Sequence, residues 1–365
     1  MTKISKERSV AIVTECPYSG ILRAIIEHTK LLHQMGFKIY FVFPATPRDR
    51  YGEHLKRNIA LLEEYGEVLR SPLRRKYCDI LGDKNDLGKR LDALSPDIVF
   101  SYTGYAGKLC RLLYREHKIR ILYHVPQCID IIRRPLWQQP IERWFEWFLK
   151  KYVTYYIACS YNEQKNLRDE FGVDTKKILT IPNYISGHRA KTRVTKKSTF
   201  IILGRVSRDK RVGTILEVAK QLGILDEFIV VGDGTKLARL KCIYPEVCFF
   251  GNIDNNLVHS LLSETKFIVS NSLIEGLPFS VIEAMNAGVV PILSDIPAHR
   301  DLVTNEQECL FFKNKSVLKR VLNRASTMGQ KEYNLFRRNV IKKIRVQFED
   351  SPKKFTHHFL TMYGT

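Results

Sequence analysis

Near-continuous apolar runs alternate along this chain with stretches whose apolar residues recur every three to four positions. Residues 10–14 (VAIVT), 38–43 (KIYFVF), 98–101, 121–124 and 155–158 read as strands, and residues 21–35 read as a helix that Gly36 ends. Strands that are apolar throughout, separated by helices, belong to a parallel sheet covered on both faces. Ile181-Pro182-Asn183 closes this half, and the polar, basic residues that follow suit a linker. The alternation then restarts with strand patterns at 199–203, 228–231, 247–250, 266–270 and 289–293. Residues 351–363 read as a helix with Phe355, Phe359 and Tyr363 at a spacing of four. The expectation is therefore α/β: two doubly wound, Rossmann-like parallel-sheet domains facing across a cleft between their carboxyl edges. Its boundaries are 1–183 for the first domain, 184–198 for the linker and 199–345 for the second domain. The C-terminal helix, 346–365, is expected to pack back on the first.

Candidate chemistry gathers where strands of the second half end. Glu275-Gly276-Leu277-Pro278-Phe279-Ser280 leads from one strand into a helix, and Ser280 with Glu283 has the spacing of a capping box. A helix N-terminus at a strand's carboxyl end offers unpaired N–H groups and partial positive charge, which suits phosphate, while flanking carboxylates suit hydroxyls. Diphosphate plus hydroxyls is the signature of a nucleotide-sugar. Glu283 as a mere capping residue and Glu275 as a solvated loop acid are the plain alternatives. Gly204-Arg205 and Lys210 follow the first strand of this half, and two cations there could neutralise a diphosphate leaving group; a solvated basic loop fits the same residues. Gly232-Asp233-Gly234 and Asn252-Ile253 follow the next two strands, where small residues and backbone groups admit a flat base, although GDG is also an ordinary turn.

In that order, Gly204-Arg205 with Lys210, Val231-Gly232-Asp233-Gly234, Phe250-Gly251-Asn252, then Ser270, Glu275-Gly276, Glu283-Ala284-Met285, Gly288 and Pro291 resemble glycosyltransferase family 4. These are retaining enzymes of the GT-B fold. The resemblance is dense from Phe200 to about residue 345. It is thinner in the first half, at residues 14–23, His124, Ser160 and Ile181-Pro182-Asn183. It implies that Glu283 binds the donor ribose, Glu275 lies beside the transferred sugar, and Arg205 and Lys210 contact the diphosphate. It also implies that backbone groups across Leu277, Pro278, Phe279 and Ser280 complete the phosphate site. Gly20 would approach the donor from the first domain, and His124 would lie near the transferred sugar; as a bare residue, His124 equally suits the polar end of a buried strand. Apart from the resemblance, Asp130, six residues after His124, is a candidate to face the acceptor. Neither a metal nor a cofactor is implied, and the donor is by default a UDP-sugar. The chain departs from the family in carrying Ser19-Gly20 in place of a glycine pair and Tyr184 after Ile181-Pro182-Asn183.

Composition narrows the partners. Among 365 residues, 44% hydrophobic and 27% charged describe a folded globular chain. Its eight cysteines are scattered without C-x-x-C or histidine spacing, so no zinc site or disulfide framework is expected. No leader peptide or spanning segment is apparent in the sequence, which places the expected protein in the cytoplasm or peripherally on the inner face of the cytoplasmic membrane. A net charge of +21, spread over both halves with clusters at Arg70/Arg74/Arg75/Lys76, Arg111/Arg115/Lys118/Arg120, Arg133/Arg134 and Arg337/Arg338/Lys342/Lys343/Arg345, attracts polyanions. No nucleic-acid reading motif accompanies it, so no nucleic-acid partner is expected. In residues 141–152 (IERWFEWFLKKY), Ile141, Trp144, Phe145, Phe148 and Tyr152 share a helical face expected to pack on the domain, while Trp147 among Arg143, Lys150 and Lys151 suits an anionic membrane surface. The expected activity is transfer of a sugar from a nucleoside diphosphate to an acceptor hydroxyl on a lipid-linked or other saccharide in envelope polysaccharide or lipopolysaccharide assembly. A sugar-nucleotide epimerase or hydrolase on the same fold, a catalytically silent scaffold and a basic nucleic-acid binder are the alternatives.

Overall fold

The computed structural model describes residues 8–17, 19–44, 59–73, 79–126, 138–186, 198–303 and 306–364. Asp130, most of the linker, Cys78, Cys128, Arg74, Arg75, Lys76, Arg133 and Arg134 lie outside the described residues. The chain divides into two units, Met1–Tyr184 with Asp350–Thr365, and Ile185–Glu349.

The first unit is built on a seven-stranded sheet: β1 (Ser9–Thr14), β2 (Lys38–Pro44), β3 (Gly66–Ser71), β4 (Ile98–Tyr102), β5 (Leu122–Val125), β6 (Tyr155–Ala158) and β7 (Ile178–Thr180). Their order is β3-β2-β1-β4-β5-β6-β7, and every neighbouring pair is parallel. The central strands are the apolar ones because helices cover both of their faces; Val10 to Val13 in β1 and Ile98 to Phe100 in β4 are at most 1% exposed. The edge strands β3 and β7 carry no apolar run. β3 reads GEVLRS and is mostly half-buried, and β7 is three residues long. The helices α1 (Ser19–Gln34), α2 (Ile80–Leu94), α3 (Gly104–Arg115), α4 (Gln139–Leu149) and α5 (Tyr161–Asp169) lie between these strands. α1 ends where expected: Gly36 sits at φ +89°, and the N–H groups of Gly36 and Phe37 donate to the carbonyls of His33 and Leu32.

The second unit has six parallel strands, β8 (Ser198–Leu203), β9 (Phe228–Val231), β10 (Cys248–Gly251), β11 (Thr265–Ser270), β12 (Val290–Ser294) and β13 (Leu310–Phe312), in the order β10-β9-β8-β11-β12-β13. Helices α6 (Val212–Leu222), α7 (Leu237–Ile243), α8 (Asn255–Glu264), α9 (Phe279–Asn286), α10 (Pro297–Leu302) and α11 (Lys315–Ser326) connect them. A stack of Phe228, Phe200 and Phe267, with Tyr333 edge-on, forms the centre of its core.

The last helix, α12 (Gln330–Tyr363), contributes to both units and contains Pro352. Its final turns belong to the first unit. Phe355 and Phe359 are fully buried and stack on each other, Phe359 also stacks on Phe100, and the Tyr123 hydroxyl meets His358 Nε2 at 2.8 Å and the Tyr363 hydroxyl at 2.9 Å. Burying each aromatic ring contributes roughly 1.5–3 kcal/mol, so three rings at a spacing of four hold this segment in place.

Candidate active site

In the six-stranded sheet the chain leaves β8 for β9 on one side and reaches β11 on the other. The carboxyl ends of β8 and β11 therefore form a topological switch point, where open α/β sheets hold ligands. The loops after three of these strands are zipped together beyond the sheet. Gly204 N–H donates to the Val231 carbonyl at 2.9 Å, Val206 N–H to Asp233 at 2.9 Å, and Gly232 N–H to Gly251 at 2.7 Å. This close approach requires glycine. Gly204 and Gly232 adopt φ of +131° and +132°, and a Cβ on Gly232 would collide with the Gly204 carbonyl. A Cβ on Gly234 would meet the Val206 backbone in the same way. Asp233 and Asn252 are exposed and Ile253 is half-buried at the ends of their loops; Asp233 Oδ1 accepts from Gly234 N–H at 2.6 Å.

Lys210 and Glu275 meet at the switch point, one from the loop after β8 and one from the loop after β11. Lys210 Nζ donates to Glu275 Oε1, and Ser272 Oγ donates to the same oxygen at 2.7 Å. Burial pushes the Glu275 carboxyl up, but the Lys210 charge, the hydrogen bonds from Lys210 and Ser272, and His299 outweigh it and leave the group below its usual range. His299, from α10, is fully buried and held down at about 4, chiefly by burial; its Nδ1 lies 2.7 Å from the Ser294 carbonyl. Ser294 Oγ donates to the Ser272 carbonyl at 2.7 Å, and Leu273 N–H to the Asp209 carbonyl at 2.9 Å, so the loops after β8, β11 and β12 form one framework. Arg205 is exposed, with its guanidinium 3.9 Å from Asp209. Ser272, Ser294 and His299 were not singled out from the sequence; the serines are small polar residues at or just past a strand end, and His299 lies inside α10.

The helix after Glu275 starts earlier than the capping-box spacing suggests. Pro278 is the N-cap, its carbonyl accepts from Val281 and Ile282, and no side chain caps the helix. Proline's restricted φ already suits a helix start, so Ser280 falls inside the first turn and Glu283 in the second. Pro278 has no N–H to offer a phosphate. The first-turn N–H groups of Phe279 and Ser280 have no acceptor within the helix, and Ser280 Oγ lies about a van der Waals contact from where a Gly204 Cβ would stand, at 3.9 Å. Leu277, Pro278 and Phe279 are buried beneath this turn, while Gly276 and Glu283 are half-buried.

In the first unit, Gly20 lies in the opening turn of α1 and is half-buried. His124 lies in β5. Its imidazole is 2% exposed and packs so tightly on Gly107 of α3 that a Cβ there would overlap it; Nδ1 lies 3.0 Å from Ser101 Oγ. Burial first, and Arg111 second, lower it to about 3, so the imidazole is held neutral in the interior. The switch point of this sheet, between β1 and β4, instead joins Glu15 and Thr103. The Glu15 carboxylate accepts from the Thr103 hydroxyl and from the N–H groups of Tyr105 and Ala106 at 3.1 and 3.0 Å, closing the N-terminus of α3, while Thr103 adopts φ +72°, ψ 177°. Neither residue stood out in the sequence, because a lone acid after a strand carries no motif.

Two parallel-sheet units with glycine-tight loops and a cation–carboxylate pair at the switch point define a GT-B glycosyltransferase. A model of "Glycosyltransferase Family 4" matches residues 18–187, and one of "Glycosyl transferases group 1" matches residues 186–343. The chain belongs to glycosyltransferase family 4. It is 24% identical over 327 residues to the UDP-Gal:alpha-D-GlcNAc-diphosphoundecaprenol alpha-1,3-galactosyltransferase of Escherichia coli, covering 79% of each protein. It is 25% identical over 175 residues to the O-antigen chain mannosyltransferase RfbU of Salmonella typhimurium, covering 44% of this chain and 49% of that one. In fold it resembles the sucrose-phosphate synthase of Thermosynechococcus elongatus, with a TM-score of 0.77 at 14% identity over 98% of this chain and 99% of that one.

Proposed function

We propose that this glycosyltransferase takes a sugar from a nucleoside diphosphate donor, by default a UDP-sugar, and places it with retained configuration on a hydroxyl of a lipid-linked saccharide in envelope polysaccharide or lipopolysaccharide assembly. The observation that carries the reading is the meeting of Lys210, Glu275 and Ser272 at the switch point of the second sheet. Lys210 and Arg205 take the diphosphate and stabilise the charge that develops on it as the anomeric bond breaks, without a metal ion. First-turn N–H groups of α9 complete the phosphate site, Glu283 takes the ribose hydroxyls, and Glu275 orients Lys210 while facing the sugar. Gly204, Gly232 and Gly234, with backbone groups around Asp233, Asn252 and Ile253, leave room for the base. The name of the Escherichia coli relative, which pairs a UDP-sugar with a diphosphate-linked polyprenol acceptor, supports both substrate classes. A net charge of +21 suits work at an anionic membrane surface on the cytoplasmic side, and no helix among the described residues is long and apolar enough to cross a membrane. No nucleic-acid partner is proposed.

The test is a melting experiment with UDP, GDP and ADP and no added metal. A ligand that binds only the folded state raises the midpoint, by about 2.7 kcal/mol of stabilisation at a hundredfold excess over Kd. One nucleoside diphosphate should stabilise the protein, and Glu283→Ala should abolish most of the shift. An unchanged shift in Glu283→Ala removes the ribose role from that residue, and no shift with any nucleotide refutes the donor site.

A further inference from the structure

Helix α4 is mounted inside out. Its sequence, QPIERWFEWFL, offers an aromatic face that would ordinarily enter the core. The buried residues are instead Glu142 and Leu149, and Glu146 points the same way, whereas Trp144 is 55% and Trp147 58% exposed, with Ile141 beside them at 49%. Two buried cations of α3 make this possible. Arg111 grips Glu146 with two hydrogen bonds, of 2.7 and 2.8 Å, and Lys108 donates to Glu142. Taking two ion pairs out of water is the expensive way to dock a helix, and rotating it to bury the tryptophans would be the inexpensive one. The arrangement is explained if the outer face has its own occupant.

The rings of that face are lined with cations. Lys150 stands over Trp147 at 5.3 Å, Arg115 lies 5.7 Å from both Phe148 and Tyr152, and Lys151 lies 5.1 Å from Tyr152. Trp144 stacks on Phe148 with ring centroids 5.4 Å apart, so the surface is a continuous aromatic strip rather than scattered side chains. Exposed tryptophans whose neighbours are lysine and arginine match the headgroup region of an anionic bilayer, where the ring lies among the upper acyl carbons and the cation meets phosphate. A protein partner would have to be both apolar and strongly acidic at one spot.

We propose that the outer face of α4, centred on Trp144 and Trp147 and flanked by Arg115, Lys150 and Lys151, seats in the interface of an anionic phospholipid membrane, with the buried Arg111–Glu146 and Lys108–Glu142 pairs holding it outward. This deepens the proposed function, because it names the element that brings the enzyme to a lipid-linked acceptor. Nothing in it depends on the donor site.

The full chain, without substrate, is sedimented with vesicles of phosphatidylcholine alone and of phosphatidylcholine containing phosphatidylglycerol. Two of the chain's three tryptophans lie on this face, so a blue shift of the emission reports insertion. Binding to the anionic vesicles alone is expected, weakening tenfold or more in Trp144→Ser/Trp147→Ser, with the blue shift lost. Lys150→Ser/Lys151→Ser should weaken binding and flatten its salt dependence. Absence of binding by the wild type, or less than a threefold loss in the tryptophan variant, overturns the proposal. So does a concentration-dependent dimer that the tryptophan variant dissolves in the absence of vesicle binding. The UDP melting shift, measured on the same variants, reads the donor site separately.

Discussion

Replacing Glu275 with glutamine separates the electrostatics at the switch point from its shape. The amide keeps an oxygen for Ser272 but removes the charge that neutralises Lys210, whose side chain is only 19% exposed. Breaking a fully buried ion pair costs about 3–5 kcal/mol; the partial exposure of Lys210 brings the expected loss to about 2 kcal/mol, or about 4–8 °C in the melting midpoint of a unit this size. The acid dependence should change with it. Glu275 titrates lower in the folded than in the unfolded state, so its contribution is present above the unfolded carboxylate's pKa and fades as pH falls through the folded one; the variant lacks that fade. The informative part is the response to nucleotide. If Lys210 reaches the diphosphate, its unpaired ammonium in Glu275→Gln gains more from UDP than the already neutralised one in the wild type. The ligand shift should then be larger in the variant, by about 1 kcal/mol or 2–4 °C. Differential scanning fluorimetry with and without saturating UDP measures all of this. A variant that melts with the wild type shows that the pair contributes nothing, and equal or smaller UDP shifts in the variant refute contact between Lys210 and the diphosphate.

Gly232→Ala should disrupt the zipped loops, because alanine at φ +132° costs about 1–3 kcal/mol before its collision with the Gly204 carbonyl is counted; nucleotide binding should fall at least tenfold, and retention of wild-type affinity by calorimetry would contradict the geometry. Stability should also fall in mild acid. Burial holds His28 and His124 at about 3 and His299 at about 4 in the folded protein, whereas in the unfolded chain they titrate near their ordinary value of about 6.5. The unfolded state therefore binds more protons between those limits, and stability drops as pH falls from about 6.5. Glu142, raised by burial and by Glu146 to about 7 even with the Lys108 ammonium beside it, works in the opposite direction. The net expectation is a loss of about 3 kcal/mol between pH 7.5 and pH 5, and a flat midpoint over that range would show that these histidines are not held neutral.

The sequence alone was sufficient for the central strands of both sheets, because a strand covered on both faces has to be apolar throughout and so announces itself. It was also sufficient for the glycines that follow β8 and β9, since a backbone that must approach another backbone tolerates nothing larger. The edge strands β3, β7 and β13 were not legible, because a strand paired on one side and half-wetted carries charged residues or shrinks to three residues. Four matters were decided only by tertiary structure: that Lys210 and Glu275 form a pair, that Pro278 rather than Ser280 begins α9, that His124 turns into the interior against Gly107, and that α4 buries its glutamates and exposes its tryptophans. In each case the residue's own chemistry allows more than one environment. The choice falls to partners far away in sequence, such as Arg111 for Glu146, which a local pattern cannot register.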